Sequence, residues 1–450
     1  MAFQKNKKTI LIIGFPWPYA YGGHRTTILC RELSKNYNVI CLTRPLFRYL
    51  DNLKLESFKI IETKGLTTIY DPIRYILTLI SKLKNKNSNH LFIDSGIVNQ
   101  ISKEENSSLL KKLLVNLGLK IKFFIDNLIA IPDDHWPWII SSYSFTNRIF
   151  EKYKPSLIIS SFPISSHLIA ARLKKIYPET KWIADFPDLW SQNHFYPYIK
   201  LRQNLDKYLE CNSLKDCDKI ITCMPGFAKT LKKIHSSRIE FIPHCTDLEL
   251  HNKKQKQIIK TEDYIIRYLG TLYPQQMKYL ELFMRSFENF IEYLKIRNKT
   301  QIKIRVEFIG TISSHLENLI YKNRYSSYFK ILPKVPYEES LNLMHSAKIL
   351  FLPLYFENNK IVNVISSKLI EYIGSRNQCL IVGDHCEDFK LIINNYPLIN
   401  SEAKCLKMLI DSFNNRKETQ NKLSLGNKVD LEQFSIKTMP FRFLNLKDNG

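Results

Sequence analysis

The run Ser366-Ser367-Lys368-Leu369-Ile370-Glu371-Tyr372 offers hydroxyls, a cation and a carboxylate at the start of a stretch with helical spacing. It closes the segment Asn358 to Glu371, which follows a continuous apolar run, Ile349 to Leu354, that reads as a buried strand. Ser366 or Ser367 can cap the helix, and the free backbone N–H groups of its first turn can hold a pyrophosphate. Glu371, one turn further in, can accept hydrogen bonds from vicinal hydroxyls. A capped amphipathic helix with an exposed glutamate carries the same residue pattern. Upstream, Gly270-Thr271 closes another apolar strand and Lys278 follows at the head of a long helix. A glycine turn at a strand's carboxyl end with a cation nearby suits a phosphate. Gly310-Thr311 repeats the strand-end glycine. Taken singly, each such glycine is common in α/β proteins.

In the first half, the loop Gly22-Gly23-His24-Arg25-Thr26 lies between the first strand and a helix. Paired glycines let backbone N–H groups come close to an anion. The spacing is not GxGxxG, so a dinucleotide reading has little support, and a plain strand-to-helix turn fits equally well.

The elements that would position these residues repeat. Apolar strands are expected at 9–14, 37–43, 157–161, 181–186, 218–223 and 239–243, with helices at 24–35, 165–177 and 225–235 between them. A second series has strands at 264–270, 304–310, 329–335, 347–354 and 378–383, alternating with helices near 276–296, 336–346, 366–375 and 386–394. Continuous rather than alternating apolar strands imply burial on both faces, hence parallel sheets covered by helices. Two consecutive doubly wound α/β units follow, 1–250 and 262–429, joined through the polar, lysine-rich stretch His251 to Thr261. Residues 66–130 break the rhythm. There Leu110, Leu113, Leu114, Leu117, Ile121, Phe124, Ile125 and Leu128 fall on one helical stripe among lysines. It fits an interfacial membrane helix or a helix packed on the domain with snorkelling lysines.

Composition narrows the class. With 44% apolar and 24% charged residues the chain is globular, and 450 residues suit two domains. The net charge of +24 points to a polyanionic or phosphorylated partner, or to compositional drift. Lysines are spread along the chain, without an arginine-rich tract, zinc-finger spacing or RNP-like motif, so nucleic acid is not expected. A membrane surface carrying a lipid phosphate suits diffuse charge better. The nine cysteines form no CxxC pair, so no zinc or dithiol centre is suggested, and a reducing compartment is expected. The first apolar run ends at Gly14, with Pro16 and Pro18 after it, which suits a buried strand rather than a signal peptide. No run of about 18 apolar residues occurs, so no spanning helix is expected. The expectation is a cytoplasmic protein, peripheral at most on the inner membrane face.

The order and content of these segments resemble the GT-B glycosyltransferases, in particular the retaining family 4-like group of bacterial sugar transferases. Ser366, Lys368, Glu371 and Tyr372 match its Ser-x-Lys-x-x-Glu-Tyr form. Pro132-Asp133-Asp134-His135-Trp136-Pro137-Trp138 is similar to its Pro-Asp…Trp segment. Ser160 to His167 is similar to its small-residue turn after a strand, and Ala184-Asp185-Phe186-Pro187-Asp188-Leu189-Trp190 to its Asp-Phe-Arg-Asp-Pro-Trp segment. Asp430 to Leu446 looks like the helix that crosses back onto the first domain. The resemblance implies two Rossmann-like domains facing across a cleft, with transfer of a sugar from a UDP- or GDP-sugar to a hydroxyl of a glycan or lipid-linked acceptor. Configuration would be retained, in the synthesis of a bacterial surface polysaccharide. The second domain would bind the donor through Gly270, Thr271, Lys278, Gly310, Asn363, Ser366, Ser367, Lys368 and Glu371. Lys278 and Glu371 would carry the chemistry, Lys278 offsetting the charge of the leaving diphosphate. Neither a metal nor a cofactor is implied. The acceptor side would use Gly22, Gly23, His24, Arg25, Asp133, His135, Asp188 and His194, for whose histidines a structural role is equally open. Three positions depart from the pattern: Asn363 stands where Glu-x7-Glu has its first glutamate, Thr271 near the usual arginine, and Pro187 in place of the arginine of Asp-Phe-Arg-Asp. These departures leave open a non-catalytic scaffold within a glycan-synthesis complex. A nucleotide-sugar 2-epimerase is the rival with the same fold.

Overall fold

The computed structural model describes residues 6–16, 25–44, 57–66, 68–72, 120, 122–194, 196, 198–257, 263–299, 301–357, 360–361, 366–385, 387–393, 396–416 and 429–444. The chain divides into two compact units, the first made mainly of residues up to Phe241 and the second mainly of residues from Ile242 on, with Met224–Gly226 joining the second.

The first unit is a parallel sheet in the order β3-β2-β1-β4-β5-β6-β7. In chain order its elements are β1 (Thr9–Ile13), α1 (Arg25–Ser34), β2 (Asn38–Thr43), β3 (Lys59–Glu62), α2 (Trp136–Tyr153), β4 (Leu157–Ser160), α3 (Ser165–Ile176), β5 (Lys181–Phe186), α4 (Lys200–Leu214), β6 (Lys219–Thr222), α5 (Pro225–Leu231) and β7 (Arg238–Phe241). The chain winds outward from β1 through β2 to β3, then crosses to β4 on the other side of β1. That crossing makes a topological switch point between β1 and β4. Ile10 to Ile13 are buried, as the unbroken apolar run requires of a central strand. In the stripe expected near 110–128, residues up to 117 and Ile121 lie outside the described residues. Phe124 and Leu128 are exposed on the helical stretch 122–128, and Ile125 is half-buried.

The second unit repeats the winding with fewer strands, in the order β10-β9-β8-β11-β14. It contains α6 (Leu248–Gln257), β8 (Tyr264–Leu269), α7 (Met277–Ile296), β9 (Ile304–Ile309), α8 (Ser314–Tyr321), β10 (Phe329–Leu332), α9 (Tyr337–Ser346), β11 (Ile349–Pro353), the hairpin β12 (Phe356–Glu357) and β13 (Lys360–Ile361), α10 (Ser367–Ser375), β14 (Gln378–Val382), α11 (Glu387–Ile392), α12 (Glu402–Asn414) and α13 (Met439–Leu444). Every residue of β8 is buried. Along α7, Tyr279, Leu280, Phe283, Phe287, Phe290, Ile291 and Leu294 recur at intervals of three and four and face the sheet. Phe283 stacks on Phe351 of β11 at 4.2 Å, so truncating either ring would cost about 3–5 kcal/mol.

The stretch expected as a linker is different in its first part. Residues 251–257 belong to α6, and His251 is buried. Asp247 caps this helix, its Oδ1 accepting from the Leu250 N–H at 2.9 Å. Thr246 forms a parallel bridge with Ser435, through the 2.8 Å bond from its N–H to the Phe434 carbonyl, so the segment at 432–436 is tied to the second unit.

Candidate functional site

The carboxyl ends of β8 and β9 and the start of α10 enclose a cavity of about 300 Å³. It lies beside the switch point of the second sheet, where the winding reverses between β8 and β11. Gly270, Thr271, Gly310, Ser367, Lys368 and Glu371 all line it, so six of the nine residues expected to bind a donor come together. Ser366 adjoins them as the N-cap of α10, in extended conformation. Its hydroxyl is buried and has no hydrogen-bond partner among the described residues. Asn363 lies outside the described residues.

The glycines are required here by geometry. Gly270 has φ +114° and Gly310 φ +137°, conformations that side chains resist. A Cβ on Gly270 would stand 2.3 Å from Lys368 Cε, and one on Gly310 would stand 2.4 Å from the Gly270 carbonyl oxygen. The strand ends therefore lie bare beneath the Lys368 side chain. Tyr372, one turn along α10, fixes that approach, because its hydroxyl accepts the Leu269 N–H at 3.0 Å and ties the helix to the end of β8.

Lys368 has no ion-pair partner among the described residues. Its Nζ donates to the Thr271 carbonyl at 3.2 Å and lies 5.4 Å from the ring centre of Tyr268 and 5.7 Å from that of Tyr273. Burial in these surroundings pulls its pKa down from the usual 10.5 to about 8. A desolvated cation at a helix N-terminus, over bare strand ends, is an incomplete electrostatic arrangement that an anion completes.

Glu371 stands deeper, held by donors the sequence did not reveal. Thr246 Oγ1 and Tyr337 Oη donate to Glu371 Oε2 at 3.0 Å each, and His251 Nε2 lies 3.1 Å from the same oxygen. With these contacts gathered on Oε2, Oε1 is the oxygen available to a ligand in the cavity. His251 Nδ1 is 3.0 Å from His345 Nε2. Burial lowers the pKa of His345 to about 4, so that ring is neutral.

Lys278 is not among the cavity's lining residues. Its Nζ pairs with Asp384 at 3.2 Å and rests 3.5 Å from the centre of the Phe356 ring, and the side chain is 46% exposed. The structure thus puts Lys368, not Lys278, at the glycine strand ends.

Of the residues expected on the acceptor side, Gly22, Gly23 and His24 lie outside the described residues. Arg25 opens α1 and is buried, its Nε 2.9 Å from Asp185 Oδ1; Ser161 Oγ donates to Asp185 Oδ2 at 3.0 Å. Burial raises the Asp185 carboxyl against the pull of Arg25. This pair pins α1 to the ends of β4 and β5, and removing one partner from such a buried pair costs about 3–5 kcal/mol. Asp133 caps α3, accepting from the Ser165 N–H at 2.9 Å and from the Ser165 hydroxyl. His135 packs edge-on against Phe15 at 4.9 Å. Asp188 and His194 are exposed, His194 with its ring 5.9 Å from Phe227.

No family model matches the sequence, and no curated protein matches it. Solved structures do. A sucrose-phosphate synthase from Thermosynechococcus elongatus superposes with a TM-score of 0.59 at 12% identity, over 98% of both chains. HepE of Anabaena, in complex with UDP, gives 0.57 at 8% identity, over 97% of this chain and 98% of that one. The chain has the GT-B fold. A UDP-N-acetylglucosamine 2-epimerase matches too, with a TM-score of 0.51 at 9% identity, over 98% of this chain and 95% of that one. At such identities the likeness establishes the architecture and leaves the chemistry to the site. Among the described residues no helix is long and apolar enough to cross a membrane.

Proposed function

We infer that the chain is a glycosyltransferase of the retaining family 4-like kind, moving a sugar from a UDP- or GDP-sugar to a hydroxyl of a glycan or lipid-linked acceptor. Lys368 is the observation that carries this reading. It is a desolvated cation with only a carbonyl for a partner, set over two bare strand ends beside the free amides of α10. A diphosphate supplies the missing negative charge, and Lys368 then offsets the charge that grows on the leaving group. Glu371, fixed through Oε2, offers its other oxygen to sugar hydroxyls. HepE is complexed with UDP in the same architecture, which favours a uridine donor. The acceptor belongs with the first unit, and surface-polysaccharide synthesis is the setting that a lipid-linked acceptor suits.

A thermal-shift screen of the full chain with UDP, GDP, ADP and their sugars tests the reading. At about a hundred times its dissociation constant, the right nucleotide adds roughly 2.7 kcal/mol to stability. No shift with any of them would sink it. Because an epimerase shares the fold, product analysis with and without an acceptor separates the two: turnover of the UDP-sugar to an epimer without acceptor identifies the epimerase. A peripheral association with anionic membranes is part of the proposal. It is supported by the charge of +24 and by Phe123, Phe124, Leu128 and Ile129, exposed beside Lys120 and Lys122.

A further inference from the structure

We propose that His251 and His345 form a two-histidine relay that positions Glu371, the N–H of His345 holding the ring of His251 so that its own N–H meets the carboxylate. The proposal deepens the preceding reading and rests on Glu371 as a ligand contact.

The assignment follows from which buried atoms have partners. The Nδ1 atom of His345 is buried and has no hydrogen-bond partner among the described residues. A neutral imidazole has one N–H and one lone pair. A stranded buried N–H is the costlier of the two possible defects, so the proton of His345 belongs on Nε2. That N–H points at His251 Nδ1, 3.0 Å away, which must then be the acceptor. The proton of His251 is thereby placed on Nε2, which lies 3.1 Å from both Glu371 Oε2 and Thr246 Oγ1. With the opposite tautomer, a lone pair of His251 would face the carboxylate. Gly374, on the same helix as Glu371, leaves room for that edge of the ring: a Cβ there would stand 2.7 Å from His251 Cδ2 and 2.8 Å from Nε2. The tautomer therefore decides whether the contact with Glu371 attracts or repels. Glu371 Oε2 is in this way saturated by protein donors, and Oε1 keeps one orientation toward the cavity.

The first measurement needs no ligand. Histidine side-chain ¹⁵N spectra of the full chain, assigned with His251→Gln and His345→Gln, should show both rings neutral and protonated on Nε2 at pH 7. A doubly protonated His251, or one protonated on Nδ1, overturns the relay. The second measurement uses UDP and GDP as probes. His345→Phe keeps the ring shape and removes the donor, so His251 Nδ1 loses its hydrogen bond, its ¹⁵N signal should move downfield, and affinity for the nucleotide that binds should fall about tenfold. His345→Gln, which restores an N–H donor, should recover most of that loss. An unchanged His251 Nδ1 signal or affinity in a folded His345→Phe overturns the relay. If the phenylalanine variant does not fold, the wild-type spectrum decides. A wild-type chain that binds neither nucleotide defeats the functional reading instead, and the spectrum still judges the relay.

Discussion

Replacing Lys368 with methionine should move the protein's stability in opposite directions with and without ligand. Methionine keeps most of the length of the side chain and removes its charge. In the folded protein the amine has a pKa near 8 against an ordinary 10.5, a difference equivalent to at most about 3 kcal/mol, and less because the side chain is only partly buried. The sign is fixed: a lysine whose folded pKa is depressed destabilises the fold fully below pH 8. The cost fades as pH rises from 8 to 10.5 and is absent above. Ligand-free Lys368→Met should therefore melt higher than wild type at pH 7, by roughly 2–10 °C for about 1–3 kcal/mol in a unit of this size. The gap should close by about pH 10.5. With UDP or GDP added the order should reverse, because wild type gains the binding energy and the variant loses its phosphate partner. Wild-type affinity should itself weaken above pH 8 as Lys368 loses its proton. Calorimetric melts across pH, with and without nucleotide, read all of this. A variant that melts below wild type at pH 7, or gains as much from nucleotide, would refute the account of Lys368.

Glu371→Ala should abolish the nucleotide shift and also lower the melting point of the free protein by an amount equivalent to about 1–3 kcal/mol. Three donors lose their acceptor, one of them the buried His251; an unchanged free-protein melt would mean that network carries no weight. Lys278→Ala should leave the nucleotide shift within about 0.5 kcal/mol of wild type, since the side chain is half-exposed and paired with Asp384; a lost shift would return the phosphate to Lys278. Gly310→Ala should cost more than about 2 kcal/mol by chemical denaturation, because the new Cβ meets a backbone carbonyl at a positive φ. A neutral result would mean the strand ends can separate. Co-sedimentation with anionic vesicles should be strong at low salt and weak in neutral vesicles. Equal recovery with both would remove the electrostatic part of the membrane proposal.

The sheets were legible because both units bury their strands on two faces, which leaves unbroken apolar runs such as Ile10 to Ile13 and Ile349 to Leu352. Strand ends were correct to within a residue or two for most of them. Elements without such a run escaped: β3 is short and only half-buried, and α6 turns a single buried residue, His251, inward from a lysine-rich surface. A helix that buries one histidine leaves no apolar stripe to read. Its only local mark was Thr246-Asp247, an N-cap signature before Leu248. That is why the partners of Glu371 leave no mark in the sequence, whereas Glu371 itself stands on a helix the sequence makes readable.

Lys278 and Lys368 show the same limit in the chemistry. Both are lysines at the head of a helix that follows an apolar strand, so residue type and spacing cannot rank them as phosphate partners. What separates them is remote in sequence. Asp384 lies on the far side of α10 in the chain and takes Lys278, whereas Tyr268 and Tyr273 strip water from Lys368 without offering it a charge. A lysine that has found a carboxylate has little left to gain from a phosphate. One held in apolar surroundings with only a carbonyl has most of its electrostatic stabilisation still to gain, and it is the one that a ligand's charge can move.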